Sequence, residues 1–206
     1  MALELNTNES HWKRNLLVVL ALALIAVGGY IVFTAFSPMF NTSIVAGRDA
    51  NETLKKLDKP VGSNGDRLYI PQINVDVAIV TGDDSSALEK GAWHRKPENG
   101  NPETGGNFVL SAHRFVMDVT PQGTVEKSPF YNIDRLLVGD RLVVDYGGKR
   151  YEYGIKKKYA VKPNASEIEA KSDSPKMTLY SCTLQGSADG RDVIEAVLLG
   201  QVNSQE

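Results

Sequence analysis

The longest uninterrupted apolar run in the chain is Leu16–Phe36, which contains no charged residue. As an α-helix it would be roughly 31 Å long, enough to cross the hydrocarbon core of a bilayer. Lys13 and Arg14 precede this run, whereas the next basic residue downstream is Arg48. This asymmetry predicts a cytoplasmic tail at residues 1–15, a transmembrane anchor at residues 16–36, and an extracellular location for everything that follows.

A polar segment separates the apolar run from the rest of the chain. Residues 37–65 offer few side chains to a core, contain one short helical pattern at Asp49–Leu57, and are then interrupted by Pro60, Gly62 and Gly65. We interpret them as an extracellular stalk. The length of the preceding run favours a retained anchor over the alternative, a signal peptide cleaved between Thr34 and Ser37.

From Asp66 onward the apolar residues occur in short runs, many of them with a period of two. Turn-forming residues separate these runs, which is the pattern of β-strands. Short helices are predicted at DSSALEKG and within SPFYNIDRLLVGD, with Leu137 among the core residues, a hairpin at Gly147-Gly148, and a long loop at Gly91–Gly106. Because strands predominate, we expect residues 66–206 to form a mainly β domain, a small closed or nearly closed barrel with short helices.

Composition limits the function classes that remain open. The chain has 206 residues, of which 42% are apolar and 23% charged, and a formal net charge of −2. No basic stripe with interleaved aromatic residues is present, so a nucleic-acid partner is not expected. The single cysteine excludes an internal disulfide framework and a cysteine-based zinc site.

That cysteine, Cys182, lies at the end of the apolar pattern MTLYSC. The alternation places its thiol on the face opposite Leu179. A loop rich in Gly, Ser and Asp then leads to Arg191 and to a second apolar run, so a thiol and a guanidinium are predicted at the facing ends of two strands. A cationic neighbour favours the nucleophilic thiolate and can stabilise an oxyanion. The alternative, a buried structural cysteine beside a surface arginine, remains open from this stretch alone.

A second strand end carries a histidine. The run NFVLSAH ends at His113. If His113, Cys182 and Arg191 meet at one rim of the barrel, Cys182 can attack an amide carbonyl, His113 can protonate the leaving amine, and Arg191 can hold the carbonyl oxygen. The competing histidine, His94, falls in the segment predicted to be a long loop, where we expect a mobile binding role or none.

The order of these motifs resembles the sortases, membrane-anchored cysteine transpeptidases of Gram-positive-type bacterial surfaces. The resemblance runs from about Asp66 to Leu199. By this resemblance His113 matches the family's catalytic histidine, Cys182 its nucleophile, and Arg191 the arginine of the following strand. The segments that carry it, in the family's order, are LYIPQINVDVAIV, ALEKGAWH, GGNFVLSAHR, PFYNIDRLLVGDRLVV, YEYGI, TLYSC and DVIEAVL.

The resemblance implies a fold, a reaction and partners. The fold would be a closed eight-stranded β-barrel, held outside the cell by one membrane helix. The reaction would be cleavage of an LPxTG-like sorting motif of surface proteins, through a thioester on Cys182, and transfer to an amine of peptidoglycan or of a pilin. Since no second apolar span follows Leu199, attachment of proteins to the wall, or membership of one of the less-characterised subgroups, is favoured over pilin polymerisation.

Two residues depart from the family pattern next to the catalytic positions. Ala112 replaces the usual Gly before the histidine, and Ser181 replaces the usual Thr before the cysteine. A long insertion, Phe115–Ser128, is expected to border the substrate groove.

An extended sorting peptide needs an apolar groove that leads to the thiol. The candidates for substrate binding are Val109, Ser181, Thr183 and Leu184, although each also suits an ordinary core or loop position. No cofactor and no metal are predicted: some sortases order a loop with calcium, but the acidic residues of this chain are scattered and do not indicate a calcium site.

Three functions therefore remain open: a sortase transpeptidase, a cysteine peptidase that only hydrolyses, and a non-enzymatic anchored β-barrel that binds a wall or surface ligand. The second is disfavoured because papain-like enzymes place their cysteine at a helix N-terminus, whereas Cys182 ends a strand. An added amine would separate the first from the second, and replacement of Cys182 would separate the third from both.

Overall fold

The computed structural model describes residues 10–43, 61 and 65–202. Helix α1 spans Ser10–Ser43 and contains Pro38. Its segment His11–Phe40 is long and apolar enough to cross a membrane. The helical pattern at Asp49–Leu57 and most of the predicted stalk lie outside the described residues, so the boundaries of anchor and stalk stay predictions.

The domain that follows is a closed β-barrel of eight strands, as the sequence analysis expected. The order around the barrel is β3-β2-β1-β6-β7-β9-β8-β5, and a pairing between β3 and β5 closes it. Neighbours are antiparallel except for the parallel pairs β2–β3 and β5–β8. A ninth strand, β4, has two residues and pairs only with β5. The strands are β1 Arg67–Ile70, β2 Val75–Val80, β3 Ala92–Arg95, β4 Gly100–Asn101, β5 Gly105–Ser111, β6 Arg141–Tyr146, β7 Lys149–Val161, β8 Lys176–Thr183 and β9 Gly186–Val202.

Short helices and turns join the strands; the one at DSSALEKG was predicted from the sequence, whereas the helix within the insertion Phe115–Ser128 was not. The 3-10 turn Ser85–Glu89 is capped by Asp84, whose carboxylate accepts a hydrogen bond from the Ser86 amide at 2.8 Å. Helix α2, Pro121–Glu126, lies between β5 and β6 and is capped by Thr120. The β6–β7 hairpin has φ values of 57° and 75° at Gly147 and Gly148, and two positive φ values match a type I′ turn.

Alternate side chains of the strands fill the barrel interior. This core includes Phe108, Leu110, Met177 and Leu179, all at most 1% exposed. Leu137 was expected to join it but is 65% exposed. The other two core residues predicted in this segment, Phe130 and Leu136, are both fully buried. The backbone is extended at Leu136, after the 3-10 turn Ile133–Arg135, and this turns the next side chain outward.

The segment predicted as a long loop at Gly91–Gly106 instead contains β3 and β4. His94 lies in β3 and is 1% exposed, so the expectation of a mobile loop residue was wrong. Its Nε2 lies 3.1 Å from the Gly100 carbonyl, and its ring packs edge-on against Phe108. Burial lowers the pKa of His94, which favours the neutral ring. The four-residue strand was missed because glycines and prolines flank it closely.

Candidate active site

Strand register places the three predicted catalytic residues at the same end of the barrel. In the parallel pair β5–β8, Ser111 lies opposite Tyr180. His113 and Cys182 each lie two residues further along their chains, in the same direction. In the antiparallel pair β8–β9, Cys182 lies directly opposite Arg191. Directly opposed residues in a sheet share a face, so the thiol and the guanidinium project to the same side.

His113, Cys182 and Arg191 line one cavity of about 290 Å³. It lies on the outer face of the barrel, because Tyr180, on the same face as Cys182, packs outside the main core. That outer cluster consists of Val109, Ile168, Tyr180 and Val193. The remaining lining residues are Leu88, Arg95, Ser111, Ala112, Pro163, Asn164, Ala165, Ser166, Ile168, Glu169 and Tyr180.

The backbone and ring of His113 are both held by neighbours. Its carbonyl accepts a hydrogen bond from the Phe130 amide at 3.1 Å, and Phe130 is fully buried. Its Nε2 lies 3.0 Å from Oε1 of Glu89, the last residue of the 3-10 turn Ser85–Glu89. The side chain of His113 is 27% exposed and that of Glu89 is 57% exposed, so this contact faces solvent. The short turn therefore orients the imidazole from the rim of the cavity.

Arg191 is held by the backbone of its own loop. Its Nη1 donates to the carbonyls of Ser187 and Gly190, both at 2.8 Å. The strand register shifts between Cys182 and Thr183, and this irregularity lets the segment before Arg191 fold back. A fixed cation in the same cavity as a thiol is suited to stabilise negative charge that develops on a carbonyl oxygen.

Ser181 projects to the opposite side of β8 from Cys182 and is 1% exposed. Its Oγ donates to the Ala112 carbonyl at 2.7 Å. Since Ala112 precedes His113 and Ser181 precedes Cys182, this one bond joins the two segments that carry the predicted proton donor and the predicted nucleophile.

The other candidates for substrate binding lie around the cavity rather than in its lining. Val109 is fully buried in the outer cluster beneath it. Thr183 donates its hydroxyl to Asp189 at 2.6 Å, and Leu184 is exposed in the turn between β8 and β9. The structure thus brings the three catalytic candidates together. Contact between a substrate and the four substrate-binding candidates, Ser181 included, stays a prediction.

Arg114 forms two salt bridges that the sequence did not predict. It is 4% exposed, and its guanidinium contacts Asp134 at 2.6 Å and Asp192 at 2.7 Å. Asp192 is the neighbour of Arg191, so this pair of salt bridges connects the segment after His113 to the strand that carries the cavity's arginine.

A polar cluster of Arg95, Glu169 and Tyr180 also lines the cavity. Glu169 accepts a hydrogen bond from the Tyr180 hydroxyl, and its Oε1 lies 2.6 Å from Arg95 Nε. Burial, and then the bond to Glu169, raise the pKa of Tyr180. The period of two in the sequence predicts that Tyr180 lies on the same face as Cys182. No local sequence signal predicts that Arg95 and Glu169, which are far apart in the chain, meet there.

The connection between β7 and β8 forms one wall of the cavity. The buried side-chain amide of Asn107 donates to the carbonyls of Ile168, at 3.1 Å, and Ala170, at 2.8 Å. The Asn99 amide donates to the Glu169 carbonyl at 2.6 Å. These bonds hold the wall, which includes Pro163, against the barrel.

Two further expectations concern residues away from this cavity. The insertion Phe115–Ser128 was expected to border the groove, but none of its residues lines the cavity; its helix α2 packs against α1. Across residues 10–43 and 65–202, no group of three His, Cys, Asp or Glu side chains is arranged to hold a metal ion.

Comparison with known proteins places this barrel and cavity in a family. Residues 68–199 match the family model of the sortase domain. The chain belongs to the sortase family. It is similar to sortase D of Bacillus subtilis strain 168, with 34% identity over 130 residues that cover 62% of this chain and 60% of that protein. The chain thus spans less than two thirds of the length of that relative.

Solved structures show the same fold. A sortase D5 transpeptidase from Clostridium perfringens superposes with a TM-score of 0.54 at 22% identity, covering 81% of this chain and 99% of that chain. The catalytic domain of SrtD from B. anthracis superposes with a TM-score of 0.52 at 29% identity, covering 66% and 88%. Sortase C-1 from Actinomyces oris gives a TM-score of 0.55 at 25% identity, covering 74% and 82%.

Proposed function

We propose that this protein is a cysteine transpeptidase that cleaves a sorting motif of surface proteins and joins the acyl fragment to an amine. The observation that carries the proposal is the convergence of His113, Cys182 and Arg191 on one cavity within the sortase domain. A structural cysteine would need neither a histidine nor an arginine beside it.

In the first half-reaction the Cys182 thiolate attacks the carbonyl carbon of the scissile amide. Arg191, fixed by two carbonyls of its loop, stabilises the oxyanion of the tetrahedral intermediate. As the C–N bond breaks, His113 as imidazolium donates its proton to the leaving amine. The products are a thioester on Cys182, a released C-terminal fragment and a neutral imidazole.

In the second half-reaction an acceptor amine attacks the thioester. His113 takes a proton from this amine, the new amide forms, and the thiolate of Cys182 leaves. The cavity lies open on the barrel's outer face, so both an extended peptide and an acceptor can reach the thiol. The acceptors that we propose are amines of peptidoglycan or of a pilin subunit.

We also infer that α1 anchors the enzyme with its catalytic domain outside the cell. Lys13 and Arg14 lie at the N-terminal end of the apolar run, which is the usual arrangement for a cytoplasmic end. The substrates and the acceptor would then be reached at the outer surface of the membrane.

The test uses the full chain in detergent and a peptide library with LPxTG-like motifs, with and without oligoglycine or a diamino-peptide. We expect cleavage in both cases and an amine-joined product only with the acceptor, as measured by mass spectrometry. The Cys182→Ala variant should do neither. Cleavage without joining would favour a hydrolase, and activity that survives Cys182→Ala would refute the role of the thiol.

A further inference from the structure

The anchor helix and the catalytic domain contact each other through a polar stripe. Tyr30, Thr34 and Ser37 occur at spacings of four and three residues, so they lie on one face of α1. The Tyr30 hydroxyl donates to the Val119 carbonyl at 2.8 Å, and the Ser37 hydroxyl lies 3.0 Å from the Pro121 carbonyl. Thr34, between them, is 1% exposed.

A third contact continues this interface beyond Ser37. The side-chain amide of Asn132 donates to the Pro38 carbonyl at 3.1 Å, and Asn132 is buried. The outer part of α1 therefore contacts both the insertion that follows His113 and Asn132 just beyond it. These contacts add to the covalent connection through residues 44–64.

This interface fixes the depth of the insertion relative to the membrane-crossing helix. Tyr30 lies six residues before Phe36, which corresponds to about 9 Å along a helix. The Val119 carbonyl bonds to the Tyr30 hydroxyl and the Pro121 carbonyl to the Ser37 hydroxyl, so residues 119–121 lie alongside the outer end of the apolar run of α1. This places Val119 close to the boundary between the hydrocarbon core and the headgroups.

The exposed face of the insertion is apolar at that depth. Phe115, Met117 and Val119 alternate with Val116 and Asp118, and their exposed fractions are 42%, 47% and 81%. Because exposed and half-buried side chains alternate from 115 to 119, the three apolar side chains share the solvent-exposed side of this irregular segment. We call Phe115, Met117 and Val119 the apolar face.

The insertion carries three charged residues, Asp118, Glu126 and Lys127. Glu126 is exposed on helix α2 and accepts a hydrogen bond from the Gln122 side-chain amide at 2.7 Å. Asp118 pairs with Lys127 at 2.5 Å, and its backbone amide bonds to the Thr124 hydroxyl. The Lys127 ammonium lowers the pKa of Asp118, so the two opposite charges are kept together. A neutralised pair at the level of the headgroups costs less free energy than a single charge.

We propose that the apolar face inserts into the outer leaflet of the bilayer and contacts lipid acyl chains. It belongs to a segment that contacts the outer end of α1, and exposed apolar side chains at such a level are the ones that interfacial segments bury about 5–10 Å into a leaflet. The insertion follows His113 directly, so this contact would hold the barrel, with its cavity, against the membrane surface. The inference rests on the membrane orientation proposed above.

Spin-label accessibility tests the proposal in the full chain reconstituted into vesicles of phosphatidylethanolamine and phosphatidylglycerol. In a Cys182→Ala background, Val119→Cys and Met117→Cys place labels on the apolar face. Val32→Cys, exposed on α1, reports the lipid phase. Thr104→Cys reports water, because it precedes β5, at the end of that strand remote from His113.

We expect the labels at 119 and 117 to collide with oxygen as the label at 32 does, and to meet a nickel chelate at least several-fold less often than the label at 104. Nickel accessibility equal to that at 104, with the label at 32 still in lipid, would overturn this proposal alone. Protection from both reagents would indicate a protein partner, such as a second copy, and would also overturn it. A water-exposed label at 32 would refute the anchor itself, whereas the peptide assay on the wild-type chain tests catalysis independently.

Discussion

The hydrogen bond between Ser181 and Ala112 gives a sharp test of how the site is positioned. In Ser181→Ala the Ala112 carbonyl loses its 2.7 Å partner inside the barrel wall, where Ser181 is 1% exposed. An acceptor left unsatisfied in a buried position costs about 1–3 kcal/mol. For a chain of this size that corresponds to a Tm lower by roughly 2–10 °C. Because the bond joins the segments of His113 and Cys182, we expect kcat to fall by about 3- to 10-fold, equivalent to about 0.7–1.4 kcal/mol in the barrier.

The assay combines thermal unfolding with kinetics of peptide cleavage. Ser181→Thr restores a hydroxyl and should recover most of both losses. Ser172→Ala is the matched control, because it removes a hydroxyl that bonds to the Ser174 carbonyl at the surface, outside the cavity lining. Should Ser181→Ala melt within about 1 °C of the wild type and turn over at the same rate, the proposed positioning role is wrong.

Three further predictions concern the cavity and the core. In Glu89→Ala the His113 ring loses an exposed orienting partner, so kcat should fall only about 2- to 10-fold; a loss beyond about 100-fold would indicate a direct role in the chemistry. Arg191→Lys keeps the positive charge but removes the planar guanidinium with its several N–H donors, so we expect turnover to fall at least about 10-fold with an unchanged Tm. Near-normal turnover would contradict the proposed oxyanion role. Burial lowers the pKa of His94, so the unfolded chain binds a proton more readily than the folded chain below about pH 6.5. The free energy of unfolding should therefore decrease as pH falls through that value, and denaturant titrations of His94→Gln at pH 8 and 5.5 should lack this part of the decrease.

Local sequence signals predicted most of the fold. The period of two identified most of the barrel strands, and the glycine pair marked the β6–β7 hairpin. The segment DSSALEKG marked the 3-10 turn Ser85–Glu89, which Asp84 caps. β3 was missed because a four-residue strand is too short for a period to be visible between breakers. Its neighbours β2 and β5 determine it through pairing, which is a tertiary effect.

The site was predictable only in part, for a similar reason. His113, Cys182 and Arg191 could be named because each follows or begins a recognisable strand and because the order of motifs resembles the sortases. The rest of the lining depends on the connection between β7 and β8, which Asn99 and Asn107 hold over the outer face. No periodicity in the sequence specifies where such a connection folds.

The side-chain direction of Ser181 illustrates what register adds to the sequence. The alternation MTLYSC already implies that Ser181 and Cys182 face opposite ways, yet the sequence did not indicate that Ser181 meets the segment before His113. The pairing of β5 with β8 brings Ala112 within reach. A residue predicted to contact substrate is thereby placed to join two catalytic segments.

The most direct test of the central claim is intact-mass spectrometry of the full chain during turnover of a cleaved peptide, combined with an amine titration. We predict a mass increase equal to the acyl fragment, mapped to Cys182, and double-reciprocal plots that remain parallel as the amine is varied, since the thioester separates the two half-reactions. Turnover without any adduct on Cys182, or lines that intersect, would contradict a transpeptidase that works through a thioester at this cavity.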